Sequence, residues 1–163
     1  MSETRIAWTH QPTSLGGGRA QRQRLSEQMM LLARAPLFEG LPKTHLRKIA
    51  RVSAAWNCRA GEELVKEGDA AGTVFYVILE GHAKVIRRGR TIKRLGQGDF
   101  FGELAILTRA PRSASVVAAT PMRCLTLSAA DLRDVLMDEP AIAVRMLDTL
   151  AHRIADLDRH FTA

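Results

Sequence analysis

The chain has 163 residues, of which 46% are hydrophobic and 25% charged, and its formal net charge is +7 at pH 7. These values are typical of one soluble globular domain and exclude a chain that is disordered throughout. No apolar run approaches the roughly 18 residues that a membrane span requires, and no secretory signal stands at the start, so we expect a cytoplasmic protein. The basic balance favours anionic partners such as nucleic acid, acidic membrane or phosphorylated ligands.

The first part of the chain predicts a tail followed by two helices. Residues 1–24 are polar, glycine-containing and basic, and we expect a flexible tail there. A helical pattern covers 26–35, with Ser26 as its N-cap, and ends before a proline. A second helical pattern covers 43–52, with Pro42 placed as its first residue.

The region from 53 to 127 has a different character, with short apolar runs separated by glycines. Such runs, with turn signals every few residues, predict a barrel or a sandwich of strands. The strands are expected at 74–79, 83–86, 91–95, 113–119 and 122–127. A group of basic residues in this region is interpreted as solvated surface: Arg87, Arg88, Arg90, Lys93 and Arg94.

Helical periodicity returns at Ser128, which we expect to cap a helix ending near Met137. A last helix is predicted from Pro140 to about Asp158. Its apolar positions form a heptad stripe that is equally consistent with packing on the β region, with a partner helix or with a hinged lid. The stripe consists of Ala143, Leu147, Leu150, Ile154, Leu157 and Phe161.

The chemistry of the chain is concentrated between residues 100 and 120. The segment 102–105 leaves a strand and opens a helical turn, whose free N–H groups favour an anion. Arg112 follows ten residues after Gly102 and supplies a guanidinium for a phosphate. Glu103 would repel a phosphate, but it suits a ligand that also offers a sugar hydroxyl. A simple Glu103–Arg112 ion pair in an ordinary turn is the alternative, and spacing alone leaves both open.

The same stretch closely resembles the phosphate-binding cassette of cyclic-nucleotide-binding domains. These domains occur in protein kinase A regulatory subunits, in cyclic-nucleotide-gated channels and in catabolite-activator-type transcription factors. The family pattern F-G-E-[LI]-A-L, then P-R-[SAT]-A-[ST]-V, stands here at 101–106 and 111–116. The resemblance extends from about residue 37 to about 157, including 61–69 and 75–81.

The resemblance implies a mainly β, α+β fold, an antiparallel β-barrel or jelly roll with N-terminal helices and a C-terminal hinge and lid helix. The domain would occupy 25–163, with its β-roll at 53–127 and its C-terminal helices at 128–158.

The resemblance also implies the role of each residue in the cassette. Arg112 would pair with the exocyclic oxygens of the cyclic phosphate, and Glu103 would accept from the ribose 2′-hydroxyl. Backbone N–H groups would complete the cradle, and small or apolar residues would lie against the sugar-phosphate. The predicted ligand-binding residues of the cassette are Phe101, Gly102, Glu103, Leu104, Ala105, Arg112, Ser113 and Ala114.

The base of the nucleotide is less well defined by the resemblance. Ser113 can bond the phosphate or the purine, so the choice of base stays open, and we expect cAMP with cGMP as the alternative. The last helix should cap the base but has no Trp or Tyr, so Arg153 is the candidate, because a guanidinium stacks on purines. Leu150 and Leu157 are apolar alternatives.

The function predicted for the chain is that of a stand-alone cyclic-nucleotide sensor, not an enzyme. The motifs include no catalytic constellation, no metal site and no cofactor site, and Cys58 and Cys124 are expected to be buried free thiols. The sensor would signal through its C-terminal helix to a protein partner or a second copy. The alternatives are a DNA-binding regulator, disfavoured because no helix-turn-helix follows the last helix, and a regulatory fragment of a channel or kinase.

Overall fold

The computed structural model describes residues 18–70 and 72–161, without the side chains of the last two. Three helical segments come first, eight strands and one short helix follow, and two helices end the described chain. In order these elements are α1 (Gly18–Arg34), a short 3-10 helix (Pro36–Phe38), α2 (Lys43–Val52), β1 (Ala54–Cys58), β2 (Glu63–Val65), β3 (Val74–Glu80), β4 (Ala83–Arg87), β5 (Arg90–Leu95), β6 (Phe100–Phe101), α3 (Glu103–Thr108), β7 (Ser115–Ala118), β8 (Met122–Ser128), α4 (Ala129–Asp138) and α5 (Pro140–Phe161).

The strands form two four-stranded sheets, ordered β1-β8-β3-β6 and β2-β7-β4-β5. Every pairing between them is antiparallel. This arrangement confirms the predicted antiparallel roll flanked by helices.

Strand β3 divides the interior into two apolar clusters, because successive side chains of a strand point to opposite faces. Phe75, Val77 and Leu79 lie in the cluster that the first sheet shares with the helices. Tyr76 and Ile78 lie in the second cluster, inside the roll. The second cluster also holds both cysteines, which are buried and free as predicted. The candidate site is therefore built around a strand whose two faces are both buried.

The start of α1 differs from the sequence-based prediction. The helix begins at Gly18, so Ser26 lies inside it rather than at its N-cap, and residues 18–24 are helical rather than part of a flexible tail. Arginine and glutamine fill this segment and are good helix formers, which a search for a capping residue overlooks. Residues 1–17 of the predicted tail lie outside the described residues, and the division into tail and domain stays a prediction.

The other helix boundaries agree closely with the sequence. Helix α2 has the predicted bounds, although Pro42 is its N-cap rather than its first residue. Ser128 caps α4 as predicted, with its Oγ accepting from the N–H of Asp131 at 3.0 Å. Helix α5 continues to Phe161, beyond the expected end at Asp158.

The predicted apolar stripe of α5 is mostly exposed, and the most deeply buried residues of the helix lie outside it. Ile142 and Met146 are buried in the core, and Leu150 packs against it. Leu147, Ile154 and Leu157 of the stripe are exposed. The helix therefore packs on the domain with one side and presents a second apolar side outward. The side chain of Phe161 lies outside the described residues.

The packing predicts a strong contrast between two leucines. Leu125 of β8 is fully buried, and Leu147 is 65% exposed. We expect Leu125→Ala to lower the free energy of unfolding by about 2–5 kcal/mol, because it leaves a cavity in a close-packed core. The matched variant Leu147→Ala should change it by no more than about 0.5 kcal/mol. Urea denaturation measures both values, and equal losses would contradict this packing.

Candidate functional site

A tight turn after β6 forms the centre of the candidate site. Gly102 has φ +90° and ψ −5° and stands at the start of α3. A Cβ atom there would lie only 2.8 Å from the Val74 carbonyl oxygen and 3.1 Å from the Arg112 guanidinium. Both the backbone angle and the crowding require glycine. The Arg112 guanidinium therefore lies against the turn at Gly102, as the ten-residue spacing of Gly102 and Arg112 suggests.

Two backbone carbonyl groups hold the Arg112 guanidinium. Nη1 donates to the carbonyl oxygen of Gly102 at 3.0 Å, and Nη2 donates to that of Val74 at 3.1 Å. No carboxylate of the described residues lies within ion-pairing distance of it. Burial lowers the pKa of this guanidinium, because charge is disfavoured away from water. Arg112 is thus a half-buried cation that forms no ion pair within residues 18–70 and 72–161.

Gly72 allows Arg112 to take up this position. A Cβ atom at Gly72 would lie 1.8 Å from Nη2 of Arg112, and the other guanidinium atoms would be almost as close. Any larger residue would therefore displace the side chain. The sequence carries no local pattern that links Gly72 to an arginine forty positions later, so sequence analysis missed this residue.

Glu103 is the other charged group of the turn, and it is only 2% exposed. Its Oε1 accepts from Nη1 of Arg153 at 2.9 Å. Burial raises the pKa of the Glu103 carboxyl above its usual range, and the neighbouring Arg153 offsets part of that rise. The alternative of a Glu103–Arg112 ion pair is therefore wrong, because the partner of Glu103 comes from α5.

Arg153 joins α5 to the roll through three contacts. Besides Glu103, its guanidinium donates to the carbonyl oxygen of Phe100 at 2.7 Å and lies 4.6 Å from the centre of the Phe100 ring. Its Nε is buried without a hydrogen-bond partner among the described residues. The structure thus brings Arg153 to the site by way of Glu103. Its role as a purine cap stays a prediction.

The remaining predicted residues divide into buried and exposed ones. Phe101, Ala105 and Ala114 are buried, and the Phe101 ring stacks on Tyr76 with 4.7 Å between centres. Leu104 and Ser113 are exposed. Burial also raises the pKa of the Tyr76 phenol. The stacked rings of Tyr76 and Phe101 lie on the buried side of the turn, and Leu104 and Ser113 lie on its exposed side.

The backbone around Ala114 is also tied to Arg87 of β4 and to Glu67, which follows β2. Nε of Arg87 donates to the carbonyl oxygen of Ser113 at 3.1 Å, and the N–H of Glu67 donates to Oγ of Ser115 at 2.9 Å. These bonds fix the backbone on either side of Ala114.

Across residues 18–70 and 72–161, no group of three or more His, Cys, Asp or Glu side chains is placed to hold a metal ion. No helix in the same part of the chain has both the length and the apolar character to cross a membrane.

The Glu103–Arg153 pair predicts a pH-dependent loss of stability. We expect Arg153→Met to lower the free energy of unfolding by about 3–5 kcal/mol at neutral pH, because a buried carboxylate is left unpaired. Removing Arg153 raises the pKa of Glu103 further. A carboxyl whose folded pKa exceeds its unfolded value destabilises the protein increasingly as pH rises through that interval. The stability deficit of the variant should therefore shrink as pH falls from neutral and Glu103 takes up a proton.

Denaturation of both proteins across this pH range measures the effect. The control is Arg159→Met, on the same helix, which removes an exposed ion pair with Asp156 and should change stability by no more than about 0.5 kcal/mol. A deficit that does not vary with pH would show that Arg153 acts through packing alone.

Comparison with known proteins places this geometry in context. The family model described as the cyclic nucleotide-binding domain matches residues 55–139, just over half of the chain. Two curated relatives are a cyclic nucleotide-gated potassium channel of Rhizobium etli, 32% identical over 133 residues and 82% of this chain, and a cGMP-dependent protein kinase of Toxoplasma gondii, 38% identical over 102 residues and 63% of this chain. The chain spans only 37% and 10% of their respective lengths.

A solved structure shows the same architecture. The crystal structure of a cyclic nucleotide-binding domain from Methylobacillus flagellatus matches with a TM-score of 0.69 and 27% sequence identity, over 84% of this chain and 82% of that one. The matched family region contains the turn at Gly102 and Glu103 together with Arg112. The chain belongs to the cyclic nucleotide-binding domain family.

Proposed function

We propose that the chain binds a 3′,5′-cyclic nucleotide, with cAMP as the expected ligand and cGMP as the alternative. The observation that carries this proposal is Arg112, a half-buried guanidinium held by two carbonyl groups with no carboxylate of the described chain paired to it. An arrangement of this kind is costly unless an anion completes it, and a guanidinium matches the geometry of phosphate oxygens.

The turn offers further groups for the cyclic phosphate and the sugar. The backbone N–H groups of Gly102 and Ala114 complete the cradle around the phosphate oxygens. The Glu103 carboxylate accepts from the ribose 2′-hydroxyl, which turns an unfavourable charge near a phosphate into a recognition element. These roles come from the family resemblance, and the positions of Arg112 and Glu103 on one turn support them.

Arg153 couples ligand binding at the site to the position of α5. It donates to the same Glu103 carboxylate that receives the ribose hydroxyl. A ligand that changes the hydrogen bonding of Glu103 therefore changes what holds α5 on the roll. Arg153 also has an unsatisfied buried Nε, and it stacks on the purine once the ligand is bound. Ligand binding in this scheme shifts the population between two positions of α5.

The signal leaves the domain through the outward side of α5. Val144, Leu147 and Ile154 are all more than half exposed on a helix that otherwise packs on the core. A change in the position of α5 covers or presents this apolar side, so a protein partner or a second copy senses the nucleotide. We propose a sensor of this kind, without turnover of the nucleotide. Regulation of a channel or a kinase is the alternative, supported by the two relatives above.

Nucleotide binding is tested by calorimetric titration with cAMP and cGMP side by side. We expect binding of at least one of them, and Arg112→Ala should weaken it at least about 30-fold, which corresponds to roughly 2 kcal/mol for the loss of a charge-assisted contact. Arg109→Asn, an exposed residue of the same loop whose left-handed backbone asparagine tolerates, is the matched control and should bind normally. A folded protein that binds neither nucleotide, or equal affinities in the two variants, would refute the phosphate assignment.

The coupling to α5 is tested by amide hydrogen exchange with and without saturating nucleotide. We expect the exchange of α5 from about Leu150 onward to change on binding in the original chain, because Glu103 changes its partners. In Arg153→Met this change should be largely lost while binding still occurs. A nucleotide-dependent change of the same size in the variant would show that α5 senses the ligand by another route.

A further inference from the structure

The hairpin formed by β4 and β5, residues 83–95, carries an unusual concentration of positive charge. It has six cationic side chains and no acidic one. All of β5 except Leu95 is exposed. The cationic residues of this basic hairpin are Lys84, Arg87, Arg88, Arg90, Lys93 and Arg94.

The strand register places like charges opposite each other. Lys84 pairs with Arg94, and Arg87 pairs with Arg90. Like charges directly opposite on neighbouring strands destabilise a sheet. Among the described residues, no carboxylate lies within ion-pairing distance of these side chains. Folding alone gives no reason for such pairs.

At the tip of the hairpin, a residue type and its backbone conformation also disagree. Arg88 has φ +50° and Gly89 has φ +74°, so both turn residues are left-handed. Asparagine or glycine suits the first position of such a turn, whereas arginine is strained there. The Arg88 N–H donates to Oε2 of Glu67 at 2.9 Å, and this bond holds the backbone of the turn in place. The side chain of Arg88 is exposed. Departures of this kind from local preference occur where a residue serves function rather than stability.

An exposed aliphatic residue lies among these charges. Ile92 falls at an irregularity in the pairing of β4 and β5 and is 49% exposed. Together with Arg87, Arg88 and Arg90 it lines one open hollow at the tip. The surface there thus combines three guanidinium groups with one apolar side chain.

We propose that the basic hairpin docks on an anionic phospholipid surface, with its arginines on the lipid phosphates and Ile92 inserted at the headgroup boundary. A cluster of four to eight Lys or Arg residues is attracted to such a surface, and an exposed aliphatic side chain adds apolar burial. Nucleic acid is disfavoured, because residues 83–95 contain no aromatic side chain for stacking on bases and the exposed Ile92 gains nothing from a phosphate backbone. This inference does not depend on nucleotide binding.

The test is flotation of the purified chain with vesicles of phosphatidylcholine, with and without about 30% phosphatidylserine, at about 100 mM salt. We expect binding to the anionic vesicles alone. The variant Arg88→Asn, Arg90→Gln, Lys93→Gln should weaken this binding at least about tenfold. Arg87 is left intact because its Nε donates to the carbonyl oxygen of Ser113, next to the candidate site. The variant also removes the strained arginine and one like-charge pair, so we expect it to fold.

The matched control removes three charges from another exposed surface, with Arg47→Gln, Lys48→Gln and Arg51→Gln on α2, and should weaken binding by less than about threefold. Ile92→Ser should weaken it about threefold without altering its salt dependence. The proposal is overturned by equal binding to both kinds of vesicle, by no binding to either, or by equal losses in the two triple variants. An unchanged Ile92→Ser, or tighter binding of a short DNA duplex through the same residues, also overturns it.

Discussion

A carboxylate removed from water keeps its charge only where a cation stands beside it, and this requirement organises the domain around Glu103. The group is 2% exposed, at the first turn of α3. Its cation comes from fifty positions further along the chain, on the last helix. Helix α5 is therefore held by this ion pair as well as by the apolar packing of Ile142 and Met146 on the core. The same guanidinium also satisfies the carbonyl group of Phe100, so one side chain fixes the geometry of strand, turn and helix together.

The opposite arrangement holds for Arg112, which forms no ion pair within the described part of the chain and donates instead to two backbone carbonyl groups. Two glycines make room for it, one in the turn and one at Gly72. Backbone groups thus fix the orientation of this guanidinium. The two arginines of the site therefore differ in their partners, since Arg153 is paired with a carboxylate and Arg112 is bonded to backbone carbonyl groups.

How far the sequence predicts this structure depends on whether a feature is local. Glycines and alternating apolar residues define the strands, and Pro42 and Ser128 mark the helix starts, because these signals act over a few residues. The predicted start of α1 was wrong, because a residue type that often caps helices, such as Ser26, also occurs inside them. The Phe101–Ala105 turn and Arg112 were predictable because a compact motif carries them. The Glu103–Arg153 pair was not, because contact between residues fifty positions apart leaves no periodic trace. The core-facing residues Ile142 and Met146 of α5 were also missed, since heptad spacing does not say which side of a helix meets the core.

The sheet order has a consequence for the synthesis of the chain. Strand β8 lies between β1 and β3, so both strands lack this neighbour until residue 128 has been made. Tyr76 pairs with Thr126, and at about 5–20 residues per second the ribosome needs roughly 3–10 seconds to span that separation. During this interval β3, which is apolar on both faces, has no neighbouring strand on its β8 side. The nascent chain therefore passes through a period in which its most hydrophobic strand is open to pairing with other chains. Any factor that shields a nascent polypeptide would act on this domain most strongly between the emergence of β3 and that of β8.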